Sequence, residues 1–333
     1  MLGTLAVLGL ALPADAAAVH TGATVHSAMP VRTATPTVVT HAVSGDNVSR
    51  AQALQAYWTP QRMASAIPME APQDAAASAS ALRTTPAPEV SAAGPAKILA
   101  RPTGPTGATG LAVQGVRPNA LATPAAQGRV FFTDPVTGTN YSCSGGTINN
   151  PAGDMVITAG HCVYENGRWM TNWVYIPAYF NGPTGYGTWF AKYMNAFTQW
   201  TANSDFNYDF AIVNVAPASN GKTLVATAGG NGLEYNQPDI RTVVIWGYPA
   251  ATNNGQTPVY CIDTTFQSGL RIGAPCALSG GASGGPWLDG YDVTTATGYE
   301  DGLNSTGTIP PANTFSPYFG SNVNSLYADT ATF

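Results

Sequence analysis

The sequence predicts an all-β barrel or sandwich carried behind a low-complexity N-terminal segment, and three observations predict it. Only 9% of the 333 residues are charged while Gly (36) and Pro (26) are abundant, a balance that does not suit a helix-rich chain. Residues 17–125 are dominated by Ala, Thr, Pro, Ser and Val with few aromatics, and the character changes near Gly128. Beyond that point, short runs of β-branched and aromatic residues alternate with turn clusters at the spacing of a barrel or sandwich.

Taken in order, the chain opens with an apolar run, Leu2 to Leu12, and then Ala14-Asp15-Ala16. That is the pattern of a secretory signal with its small-residue cleavage site, spanning 1–16 and directing the protein to the extracellular space. The positive stretch that normally precedes such a run is missing, so a start upstream of Met1 is expected. The run is too short to span a bilayer, no later stretch is suited to it, and no stable membrane association is expected. Residues 17–125 read as a pro-segment and linker, largely disordered. Within them, Val48, Ala51, Leu54 and Trp58 fall on roughly one face of a short helix over 49–66. The run Pro102-Thr-Gly-Pro-Thr-Gly-Ala-Thr-Gly110 is collagen-like but far too short for a triple helix, and reads as a flexible linker.

Strands are predicted over 129–133, 141–148, 155–163, 169–180, 186–194, 209–215, 241–248, 259–266 and 270–275. No internal helix is convincing, and one short helix over 321–332, capped by Ser321 or Asn322, closes the chain. Four cysteines occur, an even count that points to disulfides in a chain read as secreted. Of the three possible pairings, Cys143–Cys162 with Cys261–Cys276 is favoured because each closes a short loop. No Cys-x-x-Cys occurs and one histidine lies nearby, so no metal site is expected. The net charge of −5 offers no basic field for nucleic acid.

The chemistry centres on Gly281-Ala-Ser283-Gly-Gly-Pro286. Glycines let the backbone turn tightly, so a serine there shows its hydroxyl and leaves backbone N–H groups free to face an oxyanion. A nucleophilic serine needs a base, and His161, in Thr158-Ala-Gly-His-Cys162, is the only histidine after residue 41. The base needs an acid to fix its tautomer. Asp209 precedes the apolar run Phe210-Ala-Ile-Val213, while Asp205 in the more polar loop is second choice. An α/β-hydrolase elbow is excluded, because no histidine follows Ser283.

These three blocks, in the order His161, Asp209, Ser283, resemble the signatures of trypsin-like serine endopeptidases over residues 128–333. Trp246-Gly-Tyr-Pro249 additionally resembles the bacterial glutamyl-endopeptidase branch. The resemblance implies two antiparallel six-stranded β-barrels within a protease domain at 126–333, the first over about 128–216 and the second over about 222–320. It implies a secreted, monomeric endopeptidase acting on protein or peptide substrates through an acyl-enzyme, with no cofactor or metal. The N–H groups of Gly281 and Ser283 would form the oxyanion hole, worth about 3–4 kcal/mol per donor.

Two departures from the family pattern carry information. Ala282 replaces the aspartate that receives a newly freed N-terminus, so activation is expected to work by removing the pro-segment rather than by that ion pair. Ala277 stands where trypsin-like members carry a carboxylate for Arg or Lys, so basic specificity is not expected. With Leu278 and Ser305, Ala277 and Asn304 are the substrate-pocket candidates; Asn304 stands near the histidine of the glutamyl branch but carries no charge. The rival readings are a protease-like binding protein without catalysis and an esterase-type acyl hydrolase.

Overall fold

The computed structural model describes residues 36–70, 94–105, 124–216, 221–308, 312–331 and 333. The expected signal at 1–16 lies outside the described residues, as does the collagen-like run beyond residue 105.

Six strands close one barrel. Gln127–Thr133 pairs antiparallel with Asn140–Ile148 on one side and Thr171–Pro177 on the other. The ladder runs on through Met155–Thr158 and Ala211–Val215 to Trp189–Phe197, whose Trp189 and Phe190 return to pair with Tyr175 and Val174. Closure removes the free edges that would otherwise invite aggregation. Side chains alternate across a strand. Thus Val130 and Phe132 point into a core shared with Trp173, Trp189, Phe197 and Phe210, each buried side chain contributing about 1.5–3 kcal/mol.

Phe131, on the opposite face of the same strand, shows what the N-terminal segment is for structurally. It is fully buried with Val174, Ile176 and Tyr179, beneath Leu54, Trp58 and Met63. In the intact chain the described part of 17–125 is ordered against the rest of the molecule. Val38–Ala42 adds to the barrel antiparallel to Trp189–Phe197, Ile67–Pro68 pairs parallel to Asn140–Ile148, and Lys97–Ala100 pairs with Gly232–Tyr235. The low average complexity hides a few well-spaced anchors that find an apolar face to cover.

The helix expected over 49–66 is two helices. Asn47–Tyr57 is capped by Asp46, whose Oδ1 accepts from the Ser49 N–H; Pro60–Ser65 restarts under a Thr59 cap with Pro60 at its first turn. Leu54 and Trp58 are buried as the spacing required, whereas Val48 is 69% exposed. Two short internal helices, Thr198–Asn203 and Leu224–Ala228, were not predicted.

The second half is built from two sheets. A six-stranded one runs Val259–Thr264, Thr242–Gly247, Pro286–Asp292, Thr297–Leu303, Gly232–Tyr235, Lys97–Ala100; a four-stranded one runs Phe266–Ser268, Arg271–Ala274, Asn313–Pro317, Thr306–Thr308. Val243, Ile245, Ile272 and Trp287 form their common core. Both favoured disulfides are present, Cys143–Cys162 and Cys261–Cys276. The C-terminal helix spans Ser321–Thr330 and is capped by Gly320 rather than Ser321 or Asn322; Asn322 Oδ1 accepts from the Gly320 N–H instead. No helix among the described residues is long and apolar enough to cross a membrane.

Candidate active site

The strand Met155–Thr158 stops short of its predicted end because Gly160–Cys162 turns into a 3-10 helix. Glycine is required at its head: a Cβ on Gly160 would lie 2.9 Å from Trp200 Cδ1 and 3.0 Å from Asp209 Oδ1. The turn swings His161 onto Asp209. The His161 backbone N–H donates to Asp209 Oδ1 at 2.8 Å, and ring Nδ1 lies 2.9 Å from Oδ2. Ser305 Oγ donates to the same Oδ2 at 2.6 Å. The Cys143–Cys162 bond pins the neighbouring residue, and Trp200 lies against the imidazole with ring centroids 6.3 Å apart. His161 and Asp209 are both fully buried. Burial alone would push the imidazole down, but the Asp209 charge and hydrogen bond outweigh it, with a smaller push from Glu165, and hold His161 above its ordinary value. Asp205 is committed elsewhere, its carboxylate accepting from the Asn207 N–H as the cap of a short helix.

Ser283 sits on a turn that only glycine can make. Gly281 and Gly284 have φ of +89° and +80°, and a Cβ on Gly284 would lie 2.2 Å from Thr158 Oγ1. The turn is tied to both halves of the molecule. The Ser144 N–H donates to the Ser283 carbonyl at 2.7 Å, Ser144 Oγ donates to the Gly281 carbonyl at 2.8 Å, and the Gly284 N–H donates to the Asn304 carbonyl at 2.7 Å. Ser283 Oγ and His161 Nε2 are buried and have no hydrogen-bond partner among the described residues. Ala282 is buried against Gly247, where an added Cβ would lie 2.8 Å from its own.

Of the pocket candidates, Leu278, Asn304 and Ser305 line a small cavity of about 10 Å³ beside Ser283, together with Thr306 and Thr314. Ala277 is exposed and does not line it. Asn304 is 3% exposed and its amide is fully engaged in structure. Nδ2 donates to the carbonyls of Trp246 and Ala282, and Oδ1 accepts from Trp287 Nε1. It clamps the serine turn while lining the cavity. Neither that role nor the Ser305 hydroxyl on Asp209 has a signal in the sequence, since both arise from strands predicted separately or not at all.

No family model matches the chain, and neither does any curated protein. Solved structures do. The thermostable serine protease AL20 from an extremophilic microorganism is 32% identical with a TM-score of 0.57, over 62% of this chain and 97% of that one. The protease Anisep from Arthrobacter nicotinovorans is 35% identical with a TM-score of 0.58, over 63% and 98%. A Glu endopeptidase solved with MPD shares the fold at 16% identity and a TM-score of 0.52, over 65% and 95%. With two proteases matched across nearly their whole length at this identity, the chain belongs to the chymotrypsin-fold serine proteases.

Proposed function

We propose that the chain is a secreted serine endopeptidase that cleaves peptide bonds through an acyl-enzyme, with His161, Asp209 and Ser283 as its triad. The observation that carries this reading is the buried His161–Asp209 pair, 2.9 Å apart, beside a serine presented on a glycine turn. Asp209 accepts from three donors, so it fixes the imidazole with Nδ1–H facing the carboxylate and leaves Nε2 free for the Ser283 proton. Ser283 Oγ attacks the scissile carbonyl as Nε2 takes its proton. The backbone N–H groups of Gly281 and Ser283 receive the oxyanion, and the imidazolium then protonates the departing amine. Water, activated by the same imidazole, hydrolyses the acyl-enzyme and restores Ser283. The two disulfides support an oxidising, extracellular destination.

The test is cleavage of a diverse peptide library beside Ser283→Ala, with a serine-directed fluorophosphonate as second readout. Cleavage and labelling are expected in the parent and absent in the variant. A parent that neither cuts nor labels would move the chain to the binding-protein reading, and ester turnover without peptide cleavage to the esterase one.

A further inference from the structure

We propose that residues 36–70 are a built-in inhibitor of this site, with Ile67–Glu70 acting as a strap whose Met69 carbonyl occupies the Gly281 N–H. The proposal rests on reading Gly281 as an oxyanion donor. Ile67 and Pro68 pair with Tyr141 and Ser142. The next residue then bridges the two halves of the molecule. The Met69 N–H donates to the Ser142 carbonyl of the barrel at 2.9 Å, and the Gly281 N–H of the serine turn donates to the Met69 carbonyl at 2.7 Å. A donor already satisfied by a neutral carbonyl cannot receive a developing oxyanion, so a substrate carbonyl must displace Met69 first.

The fit is close. A Cβ on Gly281 would lie 2.8 Å from Pro68 Cβ, and one on Gly280 2.9 Å from Glu70 Cα. The glycines that let the turn form also let the strap lie flat on it. The nucleophile itself is not engaged, since neither Ser283 Oγ nor His161 Nε2 has a hydrogen-bond partner among the described residues. The strap thus blocks the site without presenting a bond to be cut.

Two short hydrogen bonds would not hold an extended segment against substrate, and the chain supplies anchors upstream. Trp58 Nε1 donates to the Asn172 carbonyl at 2.6 Å, Tyr57 Oη to Asn140 Oδ1 at 2.9 Å, and Arg50 to the Ala191 carbonyl at 2.5 Å. Leu54, Trp58, Met63 and Ala66 are buried on the outer barrel face around Phe131. Because strap and site share one chain, the contact forms at a high effective concentration, and weak bonds suffice to keep it closed. The ligand is chemically simple: a proline-led extended backbone with one free carbonyl, delivered by a helix pair carrying an aromatic anchor.

The experiment uses the full chain, confirmed intact by mass, and follows the rate of Ser283 labelling by a fluorophosphonate. Met69→Pro deletes the N–H that reaches Ser142, and is expected to speed labelling about tenfold, the effect of losing roughly one well-formed hydrogen bond. Trp58→Ala, which frees the helices, is expected to speed it further, whereas Val48→Ala, on an exposed position, leaves it unchanged. Hydrogen exchange at the Gly281 amide, which does not depend on chemistry, is expected to accelerate in both strap variants. Unchanged exchange with equally fast labelling of parent and variants overturns the strap alone. Faster exchange with no Ser283 labelling in any chain overturns the protease reading, and the inhibitor with it.

Discussion

The two halves of this molecule bury acids under opposite arrangements. In the first, Asp209 is fully buried yet receives the His161 backbone N–H, its ring nitrogen and the Ser305 hydroxyl. In the second, Glu234, Asp289 and Asp301 crowd on three neighbouring strands, with Arg241 paired to Asp301. Glu300 is wholly buried with neither oxygen hydrogen-bonded among the described residues, although Asn231 lies near enough to soften its charge. Burial therefore pushes Glu300 far above the carboxylate range, Glu234 up to about 8 and Asp301 up to about 6, despite Arg241. Burial alone does not make an acid useful. Where donors are missing, as at Glu300, a proton takes their role.

The largest effect is expected from removing the charge at the well-supplied site. Asp209→Asn keeps the shape but no longer favours the working tautomer, and a fall of about 10⁴-fold in kcat/KM is expected. The pH profile carries a second check. The parent needs neutral His161, whose value is raised, so its activity is expected to fall as pH drops through a midpoint above 6.5. In the variant, burial remains and the opposing charge is gone, so the midpoint moves down. An unmoved midpoint would mean that Asp209 is not what holds the imidazole up.

Much of the candidate site was legible in the sequence, for physical reasons. Thr158-Ala-Gly-His-Cys162 and Gly281-Ala-Ser-Gly-Gly-Pro286 are local devices, a turn and a presented side chain, and local devices leave local patterns. Asp209 was separable from Asp205 because a carboxylate directly before an apolar strand is carried inward with it. Both disulfides followed from short loops. The strap was not legible, because Leu54, Trp58 and Met63 are sparse anchors in an Ala- and Thr-rich stretch whose average composition reads as disordered. Nor was the clamp made by Asn304, which joins Trp246, Ala282, Trp287 and Thr314, none of which is a sequence neighbour. The carboxylates of the second half were silent too, since Gly298-Tyr-Glu300-Asp301-Gly302 looks like any polar turn until its strand is seen to run through a core.

Those silent carboxylates give the smaller effects, and their sign is fixed. An acid whose value is raised on folding binds its proton more tightly folded than unfolded, so stability is intact below the ordinary carboxylate value and declines as pH climbs above it. Glu300→Gln keeps the buried shape without a proton to lose. It is expected to raise Tm at pH 8 by several degrees, at about 2–4 °C per kcal/mol for a domain of this size, and to do little at pH 4. Glu234→Gln is expected to act in the same direction, and more weakly above pH 8, because its decline ends near its folded value of about 8, held there with Arg241 offsetting part of the crowding, whereas that of Glu300 continues. The distinguishing mark of Glu234 is its dependence on a neighbour. Removing the Asp301 charge by Asp301→Asn should let the Glu234 carboxyl titrate below about 8, since the Asp301 charge is one of the causes that raise it. Tm measured across pH 4 to 9 for both glutamine variants resolves the two windows. A gain as large at pH 4 as at pH 8 would show that the substitutions act by packing, and that protonation is not how this half of the molecule accommodates its acids.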